Sequence, residues 1–389
     1  MENINPFGGF PFFGDFEKLF GNAGQDHWGA AKQIAIQLAT GGESESNVDP
    51  SHRIEIEELA RIAELHIHNS TGLDVGNATV RASTRSQWIE NALKVYEPLL
   101  RELSDSLTKQ TTSGVETEQG DPMAAMFGQM MQHLGPVMLA MTAGSMVGHL
   151  ASKSLGQYDL PIPREEKTEI QIITENITTF GEEWSLPIQE LFLWVCLHEL
   201  CHHAVLQVNH VQKRFQDLLF SYVSGFESNP AGLGEILQEI DMESPSAFDD
   251  LQRSLGDPEL VLGIIQSDEQ LSLLPELHAL SAVIVGYVDY IMDKVGNGLI
   301  GSYGQLTEAL RRRRVEADPS DRFIERMFGL ELTQSQYDRG ASFISGVIER
   351  AGDSGVSRLW EKEQNLPTPN EVDAPGLWLA RIDLPDGSR

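Results

Sequence analysis

The stretch that decides the fold is Leu191–Gln207, LFLWVCLHELCHHAVLQ. Most of it is apolar, but a polar cluster of His198, Glu199, His202 and His203 lies in its middle. Residues four apart share one face of an α-helix, so a helix here would carry His198 and His202 on the same side. The apolar flanks predict that this helix is buried.

The cluster has the His-Glu-x-x-His pattern of zinc metallopeptidases. Two neutral imidazoles one turn apart can bind one zinc ion. Glu199 directly follows the first histidine, so it can take a proton from metal-bound water, whose pKa zinc lowers to about 7. The alternative is a core helix whose histidines are satisfied by hydrogen bonds; two histidines at metal spacing favour zinc. His203 and Cys201 point off the His198–His202 face and are predicted to pack in the interior.

Composition narrows the function classes. The chain has 389 residues, a net charge of −30 and an apolar content of 41%, enough for a sizeable core. This acidity argues against binding nucleic acid or anionic membranes through bulk charge. Cys196 and Cys201 are five apart on one predicted helix, where a disulfide is disfavoured. With no secretory signal pattern at the N-terminus, we expect a reducing, cytoplasmic location.

Four regions are predicted along the chain. Residues 1–25 are a Phe/Gly-rich arm whose rings pack onto the body or onto a neighbouring subunit, so a homo-oligomer is one expectation. Residues 26–158 form an N-terminal helical region, residues 159–365 the metal-binding region, and residues 366–389 a Pro-rich tail. Residues 229–257 are acidic and are a candidate cover for the cleft.

Residues 123–152 lack Asp, Glu, Lys and Arg and are long enough to cross a bilayer. Their polar side chains and Pro136 favour a bent, buried pair of helices instead. Gly144 and Gly148 would mark close helix contacts. We therefore expect no membrane span.

The most strand-like segment is Leu160–Phe180, in which Ile170 and Ile172 alternate with polar residues. Placed before the metal helix, it could form an edge strand beside the cleft, where an extended peptide can add. Otherwise it is a surface connection with one short strand.

A second apolar helix is predicted over Leu274–Val295, starting at Pro275. Asp289 lies within its apolar surface. A buried carboxylate is costly unless it is paired or bound to a metal, so Asp289 is the candidate to face the metal helix. The alternative is a partner for an arginine or for a helix end. The Arg311–Arg314 run is predicted to form intramolecular salt bridges.

Several segments in order resemble one family: CLHELCHHAVLQ, then ALSAVIVGYVDYIMDKVG, then LRRRR and MFGLELTQSQYDRGASFISGV. They are similar to the zincin-like metallopeptidases of actinobacteria and chloroflexi, often labelled as associated with biosynthesis of a deazaflavin coenzyme. The resemblance implies a largely helical protein with a zincin-like metal centre from about Trp28 onward, but no known substrate.

This chain differs from the family pattern at the position of the third zinc ligand. Relatives carry a Glu at the position of Val285, whereas the acid one turn later, Asp289, is kept. Three alternatives stay open: Asp289 binds the metal, Asp289 supports a ligating histidine around a weak or absent metal, or His278 takes part. Tyr287 or Tyr290 is a candidate to stabilise an oxyanion.

Together these patterns predict a mainly α protein with a zincin-like helical metallopeptidase core and a small β element. The expected function is zinc-dependent hydrolysis of a peptide or small amide. His198, His202 and Asp289 are the predicted zinc ligands, and Glu199 is the predicted general base. The alternative is a non-catalytic zincin-like scaffold or binding protein with a structural or vestigial metal site.

Overall fold

The computed structural model describes residues 27–113, 140–165, 169–226, 266–316 and 319–384. Within these ranges the chain is mainly helical and carries one two-stranded sheet, which confirms the predicted fold class. The predicted arm of residues 1–25 and the predicted cover of residues 229–257 lie outside the described residues.

The secondary structure is as follows. The strands are β1 (Thr79–Ser83) and β2 (Glu169–Ile173). The long helices are α1 (His27–Thr40), α2 (Pro50–Thr71), α3 (Arg85–Ser113), α4 (residues 140–153), α5 (Thr174–Glu183), α6 (Ile188–Leu206), α7 (Asn209–Ser224), α8 (Asp268–Leu299), α9 (Tyr303–Val315), α10 (Pro319–Met327) and α11 (Gln334–Ala351). The chain then continues through α12 (Asp353–Ser357), two 3-10 turns (Arg358–Trp360 and Glu363–Asn365), α13 (Pro369–Val372) and α14 (Pro375–Ile382).

Helix α6 is the centre of the core. It packs against α2, α5, α7 and α8, and this enclosure explains why its sequence is apolar on every side. The helix begins at Ile188, directly after Pro187. Ser185, two residues before Pro187, adopts a left-handed backbone with φ of 52°. After α6 the chain turns by 88° into α7.

Helix α8 begins earlier than Pro275, the start predicted from sequence. Ser267 caps the helix and exchanges hydrogen bonds with Gln270, so that this capping box sets the first turn and Pro275 lies inside the helix. Farther along, α8 crosses α11 where Gly286 meets Gly340. A Cβ at Gly340 would lie 1.9 Å from the carbonyl oxygen of Ala282, so only glycine permits this crossing.

The glycines of α4 lie against α1. A Cβ at Gly144 would be 2.6 Å from the carbonyl oxygen of Ala31, and one at Gly148 would be 2.8 Å from that of Ala35. The predicted close helix contact is therefore confirmed, while residues 123–139 of the same apolar run lie outside the described residues. Among the described helices, α8 has the length and apolarity of a membrane span, but most of it is buried inside the protein.

The sheet brings two distant segments together. Strand β1 pairs in parallel with β2, from Thr79 opposite Glu169 to Ser83 opposite Ile173. The alternating Ile170 and Ile172 are buried, which confirms the strand predicted within residues 160–180. Directly after β2 the chain turns into α5, so the second half of that segment is helical.

Candidate metal centre and cleft

The two histidines of the motif lie side by side on α6. Their ring centroids are 4.4 Å apart. Nδ1 of His202 lies 3.1 Å from the carbonyl oxygen of His198. A carbonyl only accepts, so Nδ1 of His202 carries the proton and Nε2 is its free nitrogen. Burial, with smaller contributions from His198 and Arg314, holds the pKa of His202 well below its usual value, so the ring is neutral as a metal ligand must be.

Aromatic rings fix the orientation of both imidazoles. Trp194 stacks on His198 with centroids 4.8 Å apart, and Tyr158 stacks on His202 at 6.0 Å with an interplanar angle of 8°. Because Trp194 is one turn before His198 on α6, the helix itself places this ring contact.

Glu199 is buried with a hydrogen-bonded carboxylate. Its Oε2 accepts hydrogen bonds from the backbone N–H groups of Gln157, at 2.6 Å, and Tyr158, at 2.9 Å. Its Oε1 lies 3.2 Å from Nδ1 of His198. These contacts supply the partners that a buried carboxylate requires and hold it beside the first histidine.

The backbone that binds the Glu199 carboxylate is the turn of Gly156, Gln157 and Tyr158, which we call the 156–158 turn. A Cβ at Gly156 would lie 2.3 Å from Cδ of Glu199 and 2.5 Å and 2.6 Å from its two oxygens. The backbone therefore approaches the carboxylate as closely as only glycine allows. The 156–158 turn is part of the site although it lies far from α6 in sequence.

A cavity of about 460 Å³ opens onto His198 and Glu199. Its lining includes the aromatic residues Phe180, Trp184 and Trp194 and the charged residues Asp159, Arg313, Arg314, Asp321 and Glu325. His202 is only 2% exposed and is not among the residues that line the cavity. The motif thus borders a cleft large enough for a small ligand or part of a peptide.

Asp289, the predicted third ligand, is engaged by an arginine. Its Oδ2 accepts a hydrogen bond of 3.1 Å from Nη1 of Arg314, whose guanidinium also lies 4.2 Å from the ring centre of Tyr337. In the described parts of the chain, no three His, Cys, Asp or Glu side chains are grouped so that they could hold a metal ion. The structure therefore brings His198, His202 and Glu199 together and pairs Asp289 with a cation, the alternative weighed from the sequence.

The remaining sequence candidates, His278, Tyr287 and Tyr290, do not line the cavity. Nδ1 of His278 is 3.7 Å from Oε2 of Glu331. Tyr287 packs edge-on against Trp360, and the Tyr290 hydroxyl accepts from Lys294; neither tyrosine is among the residues that line the cavity.

The off-face residues of α6 are interior packing residues, as predicted. His203 is buried, with Nδ1 2.7 Å from the Tyr158 hydroxyl. Cys196 and Cys201 are free and buried, and burial raises the pKa of both thiols.

The basic run divides between surface and cleft. Arg311 and Arg312 pair with Glu308, whereas Arg313 donates to Asp159 at 2.9 Å and Arg314 to Asp289. The predicted intramolecular salt bridges are confirmed. Two of the four arginines, Arg313 and Arg314, also line the cavity, because the last turn of α9 borders it.

Comparison with known proteins defines the class. The model of the zincin-like metallopeptidase family matches residues 27–379. The chain belongs to this family, which confirms the resemblance seen in the sequence. A search among curated proteins finds no match.

A solved structure from Chloroflexus aurantiacus shares the fold, with a TM-score of 0.59 and 21% identity over 92% of this chain and 99% of that one. It is described as the crystal structure of a "putative hydrolase with a novel fold".

Zinc is the metal that the family implies, and the two histidines fit it. Each can offer a ring nitrogen while the other nitrogen faces an oxygen, the arrangement usual for metal-bound histidines. His198 and His202 are thus the residues that would hold the ion. The third protein ligand remains a prediction at Asp289, which would have to leave Arg314.

Proposed function

We propose that the protein is a zinc-dependent hydrolase that cleaves a peptide or related amide bond. The observation that carries the proposal is the buried Glu199 carboxylate, held by two backbone N–H groups beside His198 at the edge of the cavity. A carboxylate fixed at this point is suited to general base catalysis. Membership of the zincin-like metallopeptidase family supports the same chemistry.

In this proposal His198 and His202 bind the metal, and Asp289 is the predicted third ligand. When bound, zinc would polarise the scissile carbonyl and lower the pKa of water. Glu199 accepts the proton of the attacking water and returns it to the leaving amine. The backbone N–H groups of the 156–158 turn bond only Oε2 of Glu199, so Oε1, beside His198, is the proposed proton acceptor.

The cleft supports a peptide or small amide as substrate. Its volume of about 460 Å³ holds a few residues rather than a folded protein. The aromatic lining residues would contact an apolar side chain, while the lining arginines and carboxylates would contact polar groups. The net charge of −30 supports a protein without nucleic-acid or membrane partners. We also propose a cytoplasmic location, and a homo-oligomer remains open to test.

A second candidate function is non-catalytic binding by a zincin-like scaffold. The ion pair between Asp289 and Arg314 favours it, because this pair neutralises the predicted third ligand and places a cation near His202. In this case the cleft binds a ligand, and the two histidines hold a weak or vestigial metal.

Glu199→Gln separates the two functions. We expect this variant to keep the fold and the metal but to lose hydrolysis of a mixed peptide library by a factor of about 10² or more. Glu316→Gln is the matched control, because it makes the same change at an exposed position lining the same cavity. Equal turnover by Glu199→Gln and wild type would remove Glu199 from catalysis. No turnover by either protein would favour the binding function.

A further inference from the structure

Arg164 is a buried cation behind the candidate site. Its side chain is 2% exposed and covers the rings of Tyr158 and Tyr96, at 5.5 Å and 6.0 Å from their centres. Nη2 donates to the carbonyl oxygen of Gln157 at 2.9 Å, while Nε and Nη1 have no hydrogen-bond partner among the described residues. Burying a guanidinium is costly, so its hydrogen bond to the Gln157 carbonyl calls for an explanation.

The hydrogen bond from Arg164 is made to a peptide group that also binds Glu199. The Gln157 carbonyl and the Tyr158 N–H belong to one planar peptide unit. Arg164 binds its oxygen, and its N–H donates to Oε2 of Glu199 at 2.9 Å. A charged donor on the oxygen polarises the amide and strengthens the hydrogen bond that the same amide donates.

The preceding peptide unit is held in the same way. The indole N–H of Trp88 donates to the Gly156 carbonyl at 2.9 Å, and the N–H of the same unit, from Gln157, donates to Glu199 at 2.6 Å. Both peptides that hold Glu199 are therefore fixed at their oxygens from behind, one by Trp88 and one by Arg164.

Arg164 is itself anchored to the helices around the site. Its own carbonyl oxygen accepts hydrogen bonds of 2.8 Å from Nε2 of Gln207 and from Nε2 of Gln212. Gln207 directly follows α6, and Gln212 lies in the first turn of α7. The guanidinium is thus held in a fixed relation to the helix that carries the motif.

We infer that Arg164 is a positioning residue for Glu199: it fixes and polarises the 156–158 turn so that the carboxylate stays aimed beside His198. The catalytic consequence rests on the proposed function, whereas the physical coupling between Arg164 and Glu199 does not. Arg164 contacts none of the predicted zinc ligands and does not line the cavity, so it acts indirectly, through the Gln157–Tyr158 peptide, the Tyr158 ring and its buried charge.

The first test is a double-mutant cycle on unfolding of the metal-free protein. Arg164→Met and Glu199→Gln should be coupled, with the unfolding equilibrium constant of the double variant differing at least about fivefold from the product of the single effects. Arg164→Met combined with Glu316→Gln is the control and should be additive. Additivity in the Arg164–Glu199 cycle would overturn the inference, whatever the catalytic outcome.

The second test uses turnover of a peptide found with the wild-type protein. Arg164→Met should lower kcat by about 10- to 100-fold while KM and zinc content change less than about threefold, because the substrate does not touch Arg164. Arg164→Lys keeps a charged donor and should recover a large part of kcat; it also serves if Arg164→Met does not fold. An unchanged kcat in Arg164→Met, or no recovery by lysine, would contradict the positioning role.

Discussion

Replacing Gly156 by alanine should damage the site by steric conflict alone. The added Cβ would lie 2.3 Å from Cδ of Glu199, whereas carbon atoms in contact prefer about 3.5 to 4.0 Å. The carboxylate or the turn must therefore shift by roughly 1 Å. A shift of this size breaks or strongly weakens the hydrogen bonds of 2.6 Å and 2.9 Å to Oε2.

The magnitude follows from those two bonds. Hydrogen bonds to a charged group contribute about 1.5 to 3 kcal/mol each, so losing both costs about 3 to 6 kcal/mol. Restricting the unfolded chain at this position offsets at most about 1 kcal/mol. We expect Gly156→Ala to lower the free energy of unfolding by about 2 to 5 kcal/mol and to reduce hydrolysis together with the displaced base.

Urea-induced unfolding of the metal-free protein measures this loss. Gly298→Ala is the matched control, because a Cβ there meets nothing within 4 Å on an exposed part of α8 and should stabilise the helix by about 0.5 to 1 kcal/mol. A Gly156→Ala protein as stable and as active as wild type would refute the close contact between the 156–158 turn and Glu199.

Two further predictions concern charge around the motif. Arg314→Met should raise zinc affinity, because it removes a cation near His202 and frees Asp289. If Asp289 then binds zinc, adding Asp289→Asn to this variant should cancel most of the gain in affinity. A double variant that keeps the full gain in zinc titrations would exclude Asp289 as a ligand. Burial lowers the pKa of His203 to about 4 from 6.5, so the unfolded chain binds more protons between these values. This contribution to stability is complete above pH 6.5 and falls by up to about 3 kcal/mol as the pH drops to 4. His203→Gln should remove that part of the pH dependence in unfolding measurements, and an unchanged slope would show that folding does not lower the pKa of His203.

The sequence predicted those features that depend on local periodicity and short spacing. One helix, α6, contains the apolar residues, the paired histidines and the glutamate between them. A single stretch of sequence was therefore enough to predict both the buried helix and the motif. Helix α8 was found for the same reason. Its start was misplaced because the capping box at Ser267 and Gln270 outweighs the proline signal at Pro275.

The features that the sequence did not predict depend on contacts between distant segments. The 156–158 turn and Arg164 reach Glu199 across about forty residues, and nothing in their local pattern points to α6. One signal was available in retrospect: a lone glycine in a polar turn just before two prolines marks a site of close backbone approach. Strand β1 is short and weakly alternating, and its pairing with β2 is set by tertiary packing.

The sequence likewise did not decide whether Asp289 pairs with Arg314. The sequence identified Asp289 as a carboxylate that needs a partner, and both a metal and an arginine satisfied that requirement. Only the folded structure, in which the last turn of α9 lies beside Asp289 of α8, shows that the arginine is within reach.

The zinc content of the purified protein tests the proposed metal centre most directly. Elemental analysis should find about one zinc per chain in wild type, and His198→Ala and His202→Ala should each lose most of it, because each removes one of two neighbouring imidazole ligands. His66→Ala, on α2, is the control and should keep the wild-type content. Wild-type zinc content in both motif variants, or no zinc in the wild-type protein after incubation with zinc, would contradict the account.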